Sequence, residues 1–216
     1  MDHKVWRAGM AMVAAVGLFL TAGCGGTGQT LYLDVVPKAA ATAQLAEPEA
    51  VKIVIEPFED RRIEKNRLGM RTHLWGGVTY FNVAGEKPGE VFAQALADRL
   101  KTRGWQDRSW NARVGSGASA SDADIVISGQ ILELAANAKS RFFSTALSTS
   151  SKVVLMARNN GDKSITSRSI EGAQTDTVVW FNGEDVQSLL AATIKDSVDR
   201  FMTDTTIINR ALRPAK

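Results

Sequence analysis

Pro88-Gly89-Glu90-Val91-Phe92-Ala93-Gln94-Ala95-Leu96-Ala97-Asp98-Arg99-Leu100-Lys101-Thr102-Arg103-Gly104 is the most sharply patterned segment of the chain. It predicts a helix over residues 88–103. Pro88 suits a first turn, where the backbone N–H has no intrahelical partner to lose. Glu90 complements the positive end of the helix dipole. Val91, Phe92, Ala95, Leu96 and Leu100 recur at spacings of three and four and make one apolar face. Lys101 and Arg103 stand in the last turn, and Gly104 is placed as the stop.

The segments around it read as strands. Val51-Lys52-Ile53-Val54-Ile55 is a β-branched run closed by Pro57. Phe58-Glu59-Asp60-Arg61-Arg62 follows as a charged exit loop. Residues 67–84 read as a hairpin turning at Gly76-Gly77. Residues 105–110 suggest a short edge strand, and residues 115–121 a flexible Gly/Ser loop. Residues 124–134 alternate as a strand. Residues 150–175 form a second hairpin around Asn159-Asn160-Gly161-Asp162-Lys163. The Ser-rich stretch 140–151 reads as a mobile loop presenting Phe142 or Phe143. Asn182 is placed to cap a last long helix with Asp185 in its first turn. Val186, Leu189, Leu190, Ile194, Val198, Phe201 and Met202 mark the buried stripe of that helix. Residues 206–212 are expected to add a short helix.

The expected class is α+β: a two-layer sandwich in which a mostly antiparallel sheet is covered by two main helices. Residues 51–216 make the single α/β domain. Residues 25–50, rich in Gly, Ala, Thr and Pro, read as a flexible tether. Within it Leu31, Tyr32, Leu33, Val35 and Val36 either dock on the domain as an extended piece or lie loose.

The start of the chain is of another kind. Lys4 and Arg7 precede an apolar run over residues 10–20, which closes on Leu20-Thr21-Ala22-Gly23-Cys24. A positive end, a short apolar core and small residues before a cut are the parts of a secretory signal. The core is too short for a bilayer, which takes about 20 apolar residues, so residues 1–23 read as a segment that is removed. Leu20-Thr21-Ala22-Gly23-Cys24 resembles the lipobox of bacterial lipoproteins, with Thr21 where that family usually has Leu, Val or Ile. The resemblance implies that Cys24 becomes the mature N-terminus, carries the lipid, palmitate included, and holds the chain to a membrane. Gly25 after the cysteine implies, in that family, the outer membrane on its periplasmic side. The alternative is an ordinary secretory peptide followed by a free thiol.

Composition excludes several classes of function. Removing residues 1–23 takes Lys4, Arg7 and Asp2, leaving 24 basic and 22 acidic residues and a net charge of +2. No run of Lys and Arg interleaves with aromatics, so no nucleic acid is expected as a partner. Cys24 is the only cysteine, so no internal disulfide forms and packing must supply stability. Gly115-x-Gly117 lacks the Lys or third Gly of a phosphate-binding loop. With one histidine, His73, in the mature chain, Cys/His metal sites are excluded and no cofactor is implied. A hydrolase would have to use His73 as its base, yet no serine sits in Gly-x-Ser-x-Gly; an ordinary strand side chain is the expectation. Glu59 and Asp60, with Glu64 nearby, interleave with Arg61 and Arg62 and read as a solvated, self-compensating loop.

The aromatics carry more information. Trp75, Tyr80, Phe81, Phe142, Phe143, Trp180 and Phe181 fall at or near strand ends and loops, and most are expected in the core. Phe142, Phe143, Trp75 and Trp180 are the candidate partner-binding residues, because exposed aromatic patches mark partner or membrane surfaces.

The order of elements adds a resemblance. A strand runs into Pro57-Phe58-Glu59-Asp60-Arg61-Arg62, then a Gly-containing hairpin. Phe92-Ala93-Gln94-Ala95-Leu96-Ala97-Asp98-Arg99-Leu100 lies in the helix. Ala123-Asp124-Ile125-Val126-Ile127-Ser128-Gly129-Gln130-Ile131, a hairpin and a C-terminal helix follow. Over residues 51–212 this resembles the YajG-like lipoproteins. More loosely it is similar to other envelope accessory lipoproteins, including auxiliary components of ABC transporters and assembly factors such as LptE and LpoB. The resemblance implies a non-catalytic accessory protein of the cell envelope that binds another envelope component; the alternative is an auxiliary lipoprotein of a lipid or solute transporter.

Overall fold

The computed structural model describes residues 28–35 and 47–215, so Cys24 and the signal segment lie outside the described residues. The class is α+β. One strand, β7 (Ile125–Arg141), organises the sheet. Along one edge it takes three short strands in succession, all parallel to it: β2 (Glu49–Ile55), β3 (Glu59–Asp60) and β4 (Gly69–Thr72). Along the other edge it pairs antiparallel with β8 (Ser144–Asn159), which pairs antiparallel with β9 (Ile165–Val178). β6 (Trp110–Val114) runs parallel beside β2. β5 (Val78–Val83) runs antiparallel beside β4, and β1 (Gln29–Leu33) lies parallel on β5.

The expected mostly antiparallel sheet is therefore corrected to a mixed one. Parallel neighbours need a long crossover, and α1 (Pro88–Arg103) supplies it between β2 and β6. The run Ile53-Val54-Ile55 carries the mark of this, since all three are buried. Burial on both faces is what parallel strands show.

Two helices cover one face. Phe92, Leu96 and Leu100 of α1 share a core with Ile53, Ile55, Ile125 and Ile127. The second helix, α2 (Gly183–Thr203), adds Leu190, Ile194, Val198 and Phe201 over Val153 and Leu155. On the opposite face Val54 and Val126 meet Ala120 and Ala123 at a single helical turn. The helix over residues 88–103 ends where the sequence placed it, and α2 is capped as expected. The Asn182 side chain accepts the Glu184 N–H, and the Asp185 carboxylate accepts the Asn182 N–H at 2.8 Å.

Other expectations are corrected. The Ser-rich segment 140–151 is no loop: apart from a two-residue turn it belongs to β7 and β8. Its hydroxyls on the helix side are buried and satisfied. Thr149 Oγ1 lies 2.6 Å from Thr193 Oγ1, and Ser151 Oγ 2.8 Å from Ser197 Oγ, so small polar side chains pack strand against helix. Residues 206–212 form no helix. The β-branched Thr205-Thr206-Ile207-Ile208 makes β10 (Thr205–Ile208), and Asn209-Arg210, both at positive φ, turns the chain into β11 (Ala211–Pro214). The edge strand expected at 105–110 begins only at Trp110; Trp105–Asp107 is a 3-10 turn. Of the two alternatives for Leu31, Tyr32, Leu33, Val35 and Val36, the docked one is seen over residues 31–35, with Leu33 and Val35 buried, and Val36 lies outside the described residues.

Candidate functional site

The strand registers gather several exposed side chains at one end of the sheet. Thr72 is level with Lys139, so the β4–β5 turn, holding Leu74 and Trp75, stands beside the end of β7. Arg141 pairs with Ser144, leaving Phe142-Phe143 as the whole β7–β8 turn. Val178 pairs with Thr145, so Val179-Trp180 leaves β9 at the same level. Gln29 is level with Thr79, so β1 also begins there, and the Gly28 N–H donates to the Val78 carbonyl at 2.8 Å. Three adjacent tips thus share one end of the sheet with the start of the N-terminal strand.

All four candidate rings are solvent-facing: Trp75 is 88% exposed, Phe142 65%, Phe143 84% and Trp180 88%. That corrects the expectation that most of the seven aromatics near strand ends are core. Phe81 is buried, while Tyr80 and Phe181 are half-buried. Phe181 is held between the Phe81 ring, 6.4 Å away, and the Arg71 guanidinium, 3.9 Å from its ring centre. The same Arg71 donates from Nε to Ser140 Oγ at 3.0 Å, so this base ties the β4, β7 and β9 tips together.

Local geometry explains how the tips form. Gly76 and Gly77 have φ of 88° and 85°, which glycine tolerates without a Cβ clash. The β7–β8 turn is different. Phe143 sits at φ 65°, a left-handed conformation that costs an ordinary L-residue about 1–2 kcal/mol. Glycine or asparagine would fit this turn better. Two phenylalanines stand there instead, edge to face at 5.0 Å.

His73 lies at the foot of the β4–β5 turn, its Nε2 2.8 Å from Thr79 Oγ1. Burial, with the Arg71 charge adding to it, lowers its pKa, so the ring is neutral around pH 7. Among the described residues no carboxylate bonds its other nitrogen, the third part a nucleophile–base pair uses. Also among the described residues, no three His, Cys, Asp or Glu side chains converge to hold a metal ion.

The densest carboxylate group, Glu59, Asp60 and Glu64, is charge-compensated as read. Arg61 pairs with Glu59 at 2.7 Å and Arg67 with Glu64 at 3.1 Å. Solvation of the whole loop is corrected: Arg62 is buried. It grips Asp60 through two hydrogen bonds of 2.9 Å and donates to the carbonyls of Arg67 and Lys65. Burial works to raise the Asp60 pKa, but the Arg62 hydrogen bonds and charge outweigh it and leave the carboxyl below its ordinary value. This is a structural clamp.

Beside the aromatic end, the face opposite the helices carries an open groove of about 570 Å³ over Thr72, Asn137, Lys139, Ser148 and Thr175. Its polar lining resembles no hydrophobic ligand pocket. Among the described residues no helix is long and apolar enough to cross a membrane.

No family model matches the chain, and no curated protein matches it. Solved structures do. Protein XCC0632 from Xanthomonas campestris is 9% identical, covering 77% of this chain and 90% of that one with a TM-score of 0.50. A structure described as a neuraminyllactose-binding hemagglutinin homolog from Helicobacter pylori is 10% identical over 81% of this chain and 91% of its own, at a TM-score of 0.45. Lipoprotein GNA1162 from Neisseria meningitidis is 12% identical over 69% of this chain and 99% of its own, at 0.26. At such identities the likeness to the Xanthomonas protein shows a shared fold, and the fold alone.

Proposed function

We propose that the chain is a lipid-anchored accessory protein of the cell envelope. It is attached through Cys24 and acts by binding another envelope component rather than by catalysis. The observation that carries this reading is the aromatic end: four exposed rings on adjacent tips, at the end where the N-terminal strand begins. Exposed apolar clusters of this kind mark binding surfaces. His73, tied to Thr79 with no orienting acid among the described residues, supports a non-catalytic role. Gly25 after Cys24 supports the periplasmic face of the outer membrane, and the order of elements supports kinship with the YajG-like lipoproteins. Anchoring raises the effective concentration of the domain near its target.

Metabolic labelling with a fatty-acid analogue, followed by fractionation and crosslinking in intact cells, tests it. Labelled protein in the outer membrane with the label lost in Cys24→Ala is the expected result. An unlabelled, freely released wild type overturns it.

A further inference from the structure

We infer that the aromatic end seats against the phospholipid bilayer, with the four rings in the headgroup region of the membrane that holds the anchor. This rests on acylation of Cys24. It names the lipid surface as the occupant of the candidate site.

Reach carries the first part of the argument. Cys24 precedes Gly28 by four positions. At about 3.5 Å per residue that connection spans at most about 14 Å. Gly28 is fixed to Val78, beside the β4–β5 turn. β7 alone has 17 residues, a contour of roughly 55 Å at about 3.3 Å each. A lipid on Cys24 therefore draws the end bearing Trp75, Phe142, Phe143 and Trp180 to the membrane and leaves the opposite end far from it.

Side-chain chemistry agrees. Trp concentrates at membrane–water interfaces, where its apolar body and polar N–H are both accommodated. Just behind the rings, Lys139 and Arg141 are exposed in the groove that Asp176 also lines, and among the described residues neither forms a salt bridge. Unpaired cations at that depth suit anionic headgroups. The rings project from two turns and from the segment that joins β9 to α2, rather than lining a cleft. A fluid surface accommodates separate projections without a matched partner shape. The fold itself is not the reason for these rings, since Phe143 holds a left-handed turn position while 84% exposed.

The test uses the mature acylated protein in vesicles of phosphatidylethanolamine and phosphatidylglycerol with brominated acyl chains. Trp75 and Trp180 are exposed at the aromatic end, whereas Trp105 and Trp110 are buried. Contact predicts a blue shift and a loss of tryptophan emission, and the loss disappears in the Trp75→Phe/Trp180→Phe double variant. The near-UV signal of the Trp105–Trp110 pair, 5.9 Å between centroids, verifies that the variant is folded. Protein that floats with the vesicles yet shows no quenching overturns the inference and leaves the anchor reading standing. Protein without an acyl label that does not float overturns the anchor reading and the inference with it. A photocrosslinking residue in place of Phe143 that captures one protein in cells, instead of lipid, also overturns the lipid assignment.

Discussion

Phe58 lies flat over Gly129 and wedges the start of α1 against β7. A Cβ on Gly129 would meet the Phe58 ring at 2.6 to 2.8 Å, closer than real Cβ atoms approach. The ring cannot swing away freely, because it is buried and stacked on Phe92 with centroids 6.0 Å apart. Gly129→Ala should therefore destabilise. Overpacking a core costs about 1–3 kcal/mol, and the gain of Ala over Gly in a strand returns only about 0.5–1 kcal/mol. A net loss of about 1 kcal/mol is expected. Phe58→Ala alone should cost about 3–5 kcal/mol. In that background the obstacle is gone and the new methyl fills part of the space, so Gly129→Ala should become neutral or stabilising. The coupling is then at least about 1 kcal/mol, against the roughly 0.5 kcal/mol scatter of independent sites. Urea denaturation of the four proteins, with m-values compared, measures it. Additive effects, or a neutral Gly129→Ala in the wild type, would refute the wedge.

Phe92→Ala should cost about 3–5 kcal/mol in the same assay, and a change within about 0.5 kcal/mol would mean that the α1 face is not packed as described. For Asp60 the folded pKa is depressed, so its stabilising effect is present above the unfolded value near 4 and is lost as pH falls through the folded value. Asp60→Asn should lower stability at pH 7 by about 3 kcal/mol, since it leaves Arg62 buried without its counter-charge, and should flatten the decline of melting temperature below about pH 4; an unchanged acid slope would remove the clamp from the account. Phe143→Gly should raise stability by about 1 kcal/mol by relieving the left-handed turn, while Phe142→Ser with Phe143→Ser should leave the melting temperature nearly unchanged. A marked drop in either thermal scan would mean that these rings serve the fold.

Local signals were legible where a segment's own residues decide its structure. The stripe of Phe92, Leu96 and Leu100 and the cap at Asn182 needed no knowledge of the rest of the chain. The turn at Gly76-Gly77 likewise followed from residue type. Parallel pairing was harder, because β2 meets β7 across 72 positions, Ile53 beside Ile125. One clue existed: a run apolar on both faces suits a parallel strand better than a half-exposed antiparallel one. The hydroxyl side chains of β8 misled because the partners of Thr149 and Ser151, Thr193 and Ser197, stand 44 and 46 residues later. For the candidate site, residue type singled out Phe142, Phe143, Trp75 and Trp180, but only strand register places them at one end.

The three short strands on one edge of β7 bear on the order in which the chain acquires structure. β2, β3 and β4 are made early in synthesis, yet their shared neighbour arrives some 67 to 72 residues later. The β7–β8–β9 meander, in contrast, closes through two short turns. Loop-closure entropy favours the meander as the first structure to form, with the earlier strands adding to its free edge afterwards. A chain that crosses a membrane N-terminus first would keep its leading half open until β7 follows, which suits passage through a narrow translocation channel. Pulse-labelled hydrogen exchange during refolding should find the amides of β8 and β9 protected before those of β2, and the reverse order would exclude the meander as nucleus.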